Sequence, residues 1–344
     1  MRAVWFAEPG RIETREVPDP QVVDPTDVVV DILFTGICGS DLWTYRGLVP
    51  HGEGGIGHEF IGRVRQVGRD VGTLRPGDTV IAPFLFSEGD CEECRRGLQP
   101  LCGSAGIWGK DWDGAQAQAI RVPHADATLV VLPWEDIDTD LARRLIPLCD
   151  VFATGTHGAA LAGVGSGDTV VVVGDGAVGI SAAMAAARAG AVRVLLLGDR
   201  PDRLKVAEGA GAETLRVSRD ESPVEAVRDL LGGRLPDRVI ECVGMQGAFD
   251  AALDVVRPAG TVGFVGVPHG VGPIPPARIF GRQIRVAGGV APARHYLPGL
   301  IDDVVNGRLD PSPLVDRVYG LDEAAAGYAA MDDGSILKAV LRTT

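Results

Sequence analysis

A strand-forming run that breaks directly into glycines, TVVVV followed by GDGAVG over residues 169–179, narrows most what this chain can fold into. Gly174, Gly176 and Gly179, with Ala177 and Val178 between the last two, form a G-x-G-x-x-G pattern that opens an alanine-rich helical stretch. The pattern alone is a weak signal. Between a buried strand and a helix it becomes a dinucleotide-binding fingerprint: the glycines permit the tight turn and let a pyrophosphate approach a helix N-terminus. From about residue 168, strands such as VRVLLLGD, ETLRV, RVIECVG, TVGFVGV and QIRVAGG alternate with helical stretches, and such alternation gives a parallel sheet covered on both faces.

The first part of the chain has a different texture. RAVWFAE, IETREV, DVVVDILFTG, EFIGRVRQVG, DTVIAPF, AIRVP and TLVVLP are short β runs punctuated by Gly, Pro and Asp, the pattern of an all-β, barrel-like unit. The tail reads as helices over HYLPGLIDDVVNGRL and DEAAAGYAAMDD and a closing strand, LKAVLR. A lone last strand needs a partner, so the tail is assigned to the β unit. The expected domains are therefore residues 1–150 with 288–344, and 151–287, in an α/β protein.

At 344 residues, with 46% hydrophobic and 23% charged residues, the chain is long and apolar enough for two ordered domains. A formal charge of −13 disfavours nucleic acid and anionic membranes, which attract clustered Lys and Arg. The charged N-terminal stretch MRAVWFAEPGRIETR has no apolar core of a signal peptide, and the longest apolar runs are too short to span a bilayer. A cytoplasmic protein is expected. Cys91, Cys94 and Cys102 lie in one cluster, which favours metal over disulfides in a reducing compartment.

Cys38 in GICGSD, His58 and Glu59 in GIGHEF, and Asp150 in PLCDVFATG supply thiolate, imidazole and carboxylate donors. Catalytic zinc takes three such ligands and keeps one position open. Together with the fingerprint, these motifs resemble the zinc-dependent medium-chain alcohol dehydrogenase family along essentially the whole chain. The resemblance implies a GroES-like β-barrel catalytic domain interrupted by a Rossmann dinucleotide-binding domain, with the active site in the cleft between them.

The resemblance further implies a catalytic zinc on Cys38, His58 and Asp150, the last as in the secondary-alcohol-dehydrogenase-like branch. Cys149 remains an alternative third ligand, and Glu59 is a fourth ligand or lies just behind the others. Ser40 is the implied proton-passing hydroxyl, while Trp43 stands where relatives often carry a relay histidine. Glu88, Cys91, Cys94 and Cys102 match the spacing of the family's structural zinc, with Glu88 at a cysteine position; the alternative is a lobe of vacant thiols. Toward the coenzyme, Thr154 is placed against the nicotinamide, Val243, Val265 and Val267 at its carboxamide end, and Lys338 toward the pyrophosphate.

The family's usual acidic position after the second strand is Gly198, with Asp199 one residue later. Arg200 and Arg203 suit a 2′-phosphate, which tips the choice between NAD and NADP toward NADP. Trp43, Trp108, Phe84 and Leu85 are the expected walls of an apolar pocket. The expected activity is hydride transfer between NAD(P) and a primary or secondary alcohol or its aldehyde or ketone, by a homodimer or homotetramer. A polyol dehydrogenase is the alternative within the class, and a catalytically inactive nucleotide-binding protein is the alternative outside it.

Overall fold

β-Branched runs between turn-forming residues become strands in the first part of the chain. They are β1 (Arg2–Glu8), β2 (Arg11–Glu16), β3 (Val28–Ile37), β4 (Gly54–Gly55), β5 (Glu59–Val67), β6 (Thr79–Ala82), β7 (Leu85–Phe86), β8 (Gly106–Ile107), β9 (Ala119–Val122) and β10 (Val130–Val131). The computed structural model describes residues 1–218 and 221–343; positions 219, 220 and 344, which fall in the expected domain ranges, lie outside the described residues. The expected strand over TLVVLP shrinks to β10, because residues Ala125–Thr128 close a helical turn before it.

β3 is the spine of this part. It pairs antiparallel with β5 and with β9, and most of its side chains are buried on both faces. Val28, Val30 and Ile32 from β3 meet Phe60, Val64 and Trp108 in one apolar core.

The middle of the chain alternates strictly. β11 (Thr169–Val173), β12 (Arg193–Gly198), β13 (Glu213–Arg216), β14 (Arg238–Glu241), β15 (Thr261–Phe264) and β16 (Arg285–Gly288) are connected through helices such as Ala177–Arg188, Pro201–Gly209 and Gln246–Val255. The sheet runs in the order β13-β12-β11-β14-β15-β16, with every pairing parallel. Strand order therefore reverses direction at β11, and in open parallel sheets ligands bind beyond the strand ends at such a switch point.

The tail then rejoins the first sheet. Helix Ala293–Val305, β17 (Arg317–Gly320), helix Ala324–Asp332 and β18 (Ala339–Arg342) follow in turn. β18 lies between β17, to which it is parallel, and β3, to which it is antiparallel, with Ala339 opposite Ile37. This register brings the residue before Ala339 to the end of β3 where Cys38 begins.

The chain divides into two compact units, Met1–Ala153 with Pro292–Thr344, and Thr154–Ala291. The boundary falls inside the continuous helix Val151–Ala162, a few residues beyond the expected break at 150. Among the described residues no single helix is long and apolar enough to cross a membrane.

Candidate metal centre and dinucleotide loop

Three breaks in regular structure bring the donor side chains together. Cys38 follows the end of β3, His58 immediately precedes β5, and Asp150 stands between the 3-10 turn Ile146–Cys149 and the helix Val151–Ala162. One ligand atom from each of Cys38, His58, Glu59 and Asp150 lies within 4.8 Å of all the others. Asp150 Oδ2 is 3.2 Å from Cys38 Sγ and 3.1 Å from His58 Nε2. Cys38, His58 and Glu59 are buried, whereas Asp150 retains partial exposure.

A second layer of side chains orients this set. Asp41 accepts the Cys38 backbone N–H at 2.9 Å through Oδ2, and its Oδ1 lies 3.2 Å from His58 Nδ1. Gln116 donates from Nε2 to Asp41 at 3.3 Å and to the Gly36 carbonyl at 2.9 Å, while the buried Tyr328 hydroxyl donates to Gln116 Oε1 at 2.9 Å. A carboxylate on one imidazole nitrogen fixes the ring and aims the other at the ligand site. Asp41 lies within the GICGSD segment that drew attention to Cys38, but Gln116 and Tyr328 carry no signal of their own in the sequence.

The electrostatics of the cluster call for a cation. Burial, then the Asp150 charge, pushes the Cys38 thiol up to about 11, against the pull of His58. Burial opposes a charged His58, but Asp41 and Asp150 outweigh it and hold its pKa well above the ordinary histidine value. Acidic donors thus converge in a largely buried site, with the Lys338 ammonium beside Glu59. The separations of 3.1 and 3.2 Å are close to the edges of roughly 3.3–3.8 Å implied by tetrahedral zinc with its usual bond lengths. Both the donor chemistry and the spacing fit zinc.

Several expectations are corrected here. Lys338 does not extend toward a pyrophosphate: it is buried, and Nζ donates to Glu59 Oε1 at 2.8 Å, Glu59 Oε2 at 2.6 Å and the Ile37 carbonyl at 3.3 Å. Burial pulls the ammonium down, yet Glu59 outweighs it and raises its pKa to about 12. Glu59 thus bonds Lys338 while one of its oxygens stays within the donor group, which accords with either a fourth ligand or a residue just behind the other three. Cys149 points the other way, fully buried with Sγ 3.6 Å from the Phe60 carbonyl.

Trp108 is a core residue rather than a pocket wall. It is buried, donates from Nε1 to the Pro83 carbonyl at 2.8 Å, and packs its ring against Phe60 and Phe86. Phe84 is buried and sets its ring edge-on to His58, with centroids 6.4 Å apart; Leu85 is buried in β7. Ser40 is exposed, with Oγ 3.4 Å from His58 Nε2, and Trp43 is half-buried in the short helix after it.

Cys91, Cys94 and Cys102 form a second cluster with sulfurs within 4.8 Å of one another. The Cys94 amide pulls the Cys91 thiol down, but desolvation and the neighbouring thiols prevail and push it up to about 12. Glu88 does not join them: its Oε2 accepts the Ser104 hydroxyl at 3.0 Å.

In the second unit, the glycine loop has room for a ligand. Gly176 caps the helix Ala177–Arg188, and a Cβ added there would meet nothing within 4 Å. Gly174 adopts φ +117°, while a Cβ on Gly179 would lie 1.9 Å from the Gly174 carbonyl oxygen, so both positions require glycine. Val178 lies in the first turn of that helix. Val243 and Val267, just beyond β14 and β15, are exposed and Val265 is half-buried, as is Thr154 in its helix. Asp199 and Arg200 follow the end of β12.

A parallel dinucleotide sheet in the same chain as a clustered thiol, imidazole and carboxylate site defines a zinc- and nicotinamide-dependent oxidoreductase. Comparison with known proteins agrees. Residues 24–133 match the alcohol dehydrogenase GroES-like domain, and residues 177–306 match the zinc-binding dehydrogenase family. A zinc-type alcohol dehydrogenase B of Aspergillus flavus is 33% identical over 99% of this chain and 81% of its own length. An alcohol dehydrogenase of Cupriavidus necator is 33% identical over 95% and 94% of the two chains. Among solved structures, an alcohol dehydrogenase from Thermus sp. ATN1 superposes with a TM-score of 0.93 at 34% identity, covering 100% of both chains. The chain belongs to the zinc-dependent medium-chain dehydrogenase family, and it is an NAD(P)-dependent alcohol dehydrogenase.

Proposed function

We propose that Cys38, His58 and Asp150 hold the catalytic zinc and that the loop Gly174–Gly179 takes the coenzyme pyrophosphate, for oxidation of a small primary or secondary alcohol or reduction of its aldehyde or ketone. The observation that carries this reading is the approach of two other ligand atoms to Asp150 Oδ2, which lies 3.2 Å from Cys38 Sγ and 3.1 Å from His58 Nε2. When bound, zinc acts as a Lewis acid on the substrate oxygen and the nicotinamide exchanges the hydride.

The remaining work falls to the protein's own side chains. Asp41 holds the His58 ring through Nδ1, so the imidazole stays aimed at the site. Ser40 is exposed with its hydroxyl 3.4 Å from His58 Nε2, and it is the group we assign to carry the alcohol proton outward. Phe84 supplies an apolar wall beside His58, which suits a small hydrocarbon substituent better than a polyol. A relative in Pseudomonas aeruginosa, a glutathione-independent formaldehyde dehydrogenase, is 32% identical over 99% of this chain, which supports a small aldehyde or alcohol as substrate.

Cys91, Cys94 and Cys102 are the proposed ligands of a second, structural zinc. Their thiols, like that of Cys38, support a reducing compartment, hence the cytoplasm. β16 lies at an edge of the parallel sheet, which supports pairing with a second copy in a homodimer or homotetramer. As for the coenzyme, the expectation of NADP rested on Arg200 and Arg203. Arg200 pairs with Asp202 and Arg203 faces Asp175, an arrangement that supports NAD instead.

The test is NAD(P)H formation over an alcohol panel by zinc-loaded protein, with and without chelator. Turnover that disappears with chelator and returns with zinc is expected. A zinc-loaded protein that binds coenzyme but turns over no alcohol would instead be a nucleotide-binding module.

A further inference from the structure

NAD-binding sheets ordinarily end the second strand on an acidic side chain that accepts the ribose hydroxyls. β12 ends on Gly198, where no side chain fits: a Cβ there would lie 2.5 Å from the Cβ and 2.5 Å from Oδ2 of Asp175. Asp175 is the first variable residue of the glycine loop, GDGAVG. Its side chain crosses to the end of β12, where Oδ2 accepts the backbone N–H of Asp199 and that of Arg200, each at 2.9 Å. Its other oxygen lies 3.9 Å from Arg203 Nη1, and the carboxylate retains 11% exposure.

We infer that Asp175 is the coenzyme-specificity residue: it delivers from the glycine loop the carboxylate that residue 198 lacks, and it selects NAD over NADP. The inference rests on the dinucleotide reading of this loop. Three features support it. A 2′-phosphate at the end of the second strand needs N–H donors, and the two N–H groups there, at the start of helix Pro201–Gly209, are already bonded to Asp175. A carboxylate beside that position repels a phosphate but accepts a ribose hydroxyl, for which Oδ1 has free lone pairs. The arginines that suit a 2′-phosphate are each faced by an acid, Arg200 by Asp202 and Arg203 by Asp175. Arg203 also has a buried Nε without a hydrogen-bond partner, so it is held in place by packing rather than by a complete set of bonds.

The experiment measures the dissociation constants of NADH and NADPH for zinc-loaded protein by calorimetry, independently of turnover. Wild type is expected to bind NADH at least about tenfold more tightly, the scale of one charge-assisted hydrogen bond. Asp175→Asn retains an oxygen for both backbone N–H groups and loses only the charge, so its preference should move toward NADPH by about tenfold. Asp175→Ser, which also frees those N–H groups, should move it further. Circular dichroism establishes that the variants are folded. Equal or tighter NADPH binding by wild type overturns the assignment, as does an unchanged ratio in folded Asp175→Asn, which a purely structural Asp175 would give. If wild type binds neither coenzyme, the dinucleotide reading fails and takes this inference with it. Binding of both in the wrong order defeats the inference alone.

Discussion

Both oxygens of Glu59 lie within 2.8 Å of the Lys338 ammonium, and the two side chains are among the most deeply buried charged groups in the molecule. They come from sequence positions 279 apart, joined because β18 inserts beside β3 and β3 pairs with β5. The pair neutralises one acid in a site crowded with them.

Removing one partner leaves the other charge buried without compensation. Lys338→Met is expected to destabilise the protein by about 3–5 kcal/mol, read from urea denaturation. Combining it with Glu59→Gln should recover a large part of that loss. A double variant as unstable as the sum of the two single ones would show that the pair is not coupled.

Asp41 reaches the proposed zinc ligands through His58 Nδ1 and the Cys38 amide. Asp41→Asn should weaken zinc binding by about 10- to 100-fold, measured by competition with a chelating dye, in a protein that remains folded. Unchanged affinity would show that the imidazole is oriented by something else.

The sign of the pH dependence follows from the two raised pKa values. With the Cys38 thiol pushed up to about 11 and Asp41 and Asp150 raising His58, both groups favour their protonated forms in the metal-free protein. Zinc requires thiolate and neutral imidazole, so its uptake should release protons and its affinity should rise with pH. Calorimetry in buffers of different ionisation enthalpy reads the proton count directly, and a count of zero would contradict the assigned ligands.

The cysteine lobe has its own metal count. Cys94→Ser should yield protein with one zinc fewer per chain by mass spectrometry, while Glu88→Gln, whose parent carboxylate is bonded to Ser104, should retain the wild-type count. Loss of zinc from the Glu88 variant would return Glu88 to the ligand set.

Local pattern was enough to read the two textures of the chain, the strand, turn and helix of the glycine loop, and residue types that the fold gathers into two clusters, Cys38, His58, Glu59 and Asp150 in one and Cys91, Cys94 and Cys102 in the other. Those features repeat at the period of the backbone or follow from the chemistry of a residue type, so they are visible without a partner. The direction of individual side chains was not visible in this way. Cys149 and Asp150 are adjacent, yet one faces the core and the other faces Cys38 and His58, because a 3-10 turn ends between them. Trp108 became core, Lys338 became the counter-ion of Glu59, and Asp175 came to stand in for the missing side chain at Gly198. Each of those outcomes depends on strand order and register between segments far apart in sequence, where a one-residue shift would turn the side chain to the opposite face.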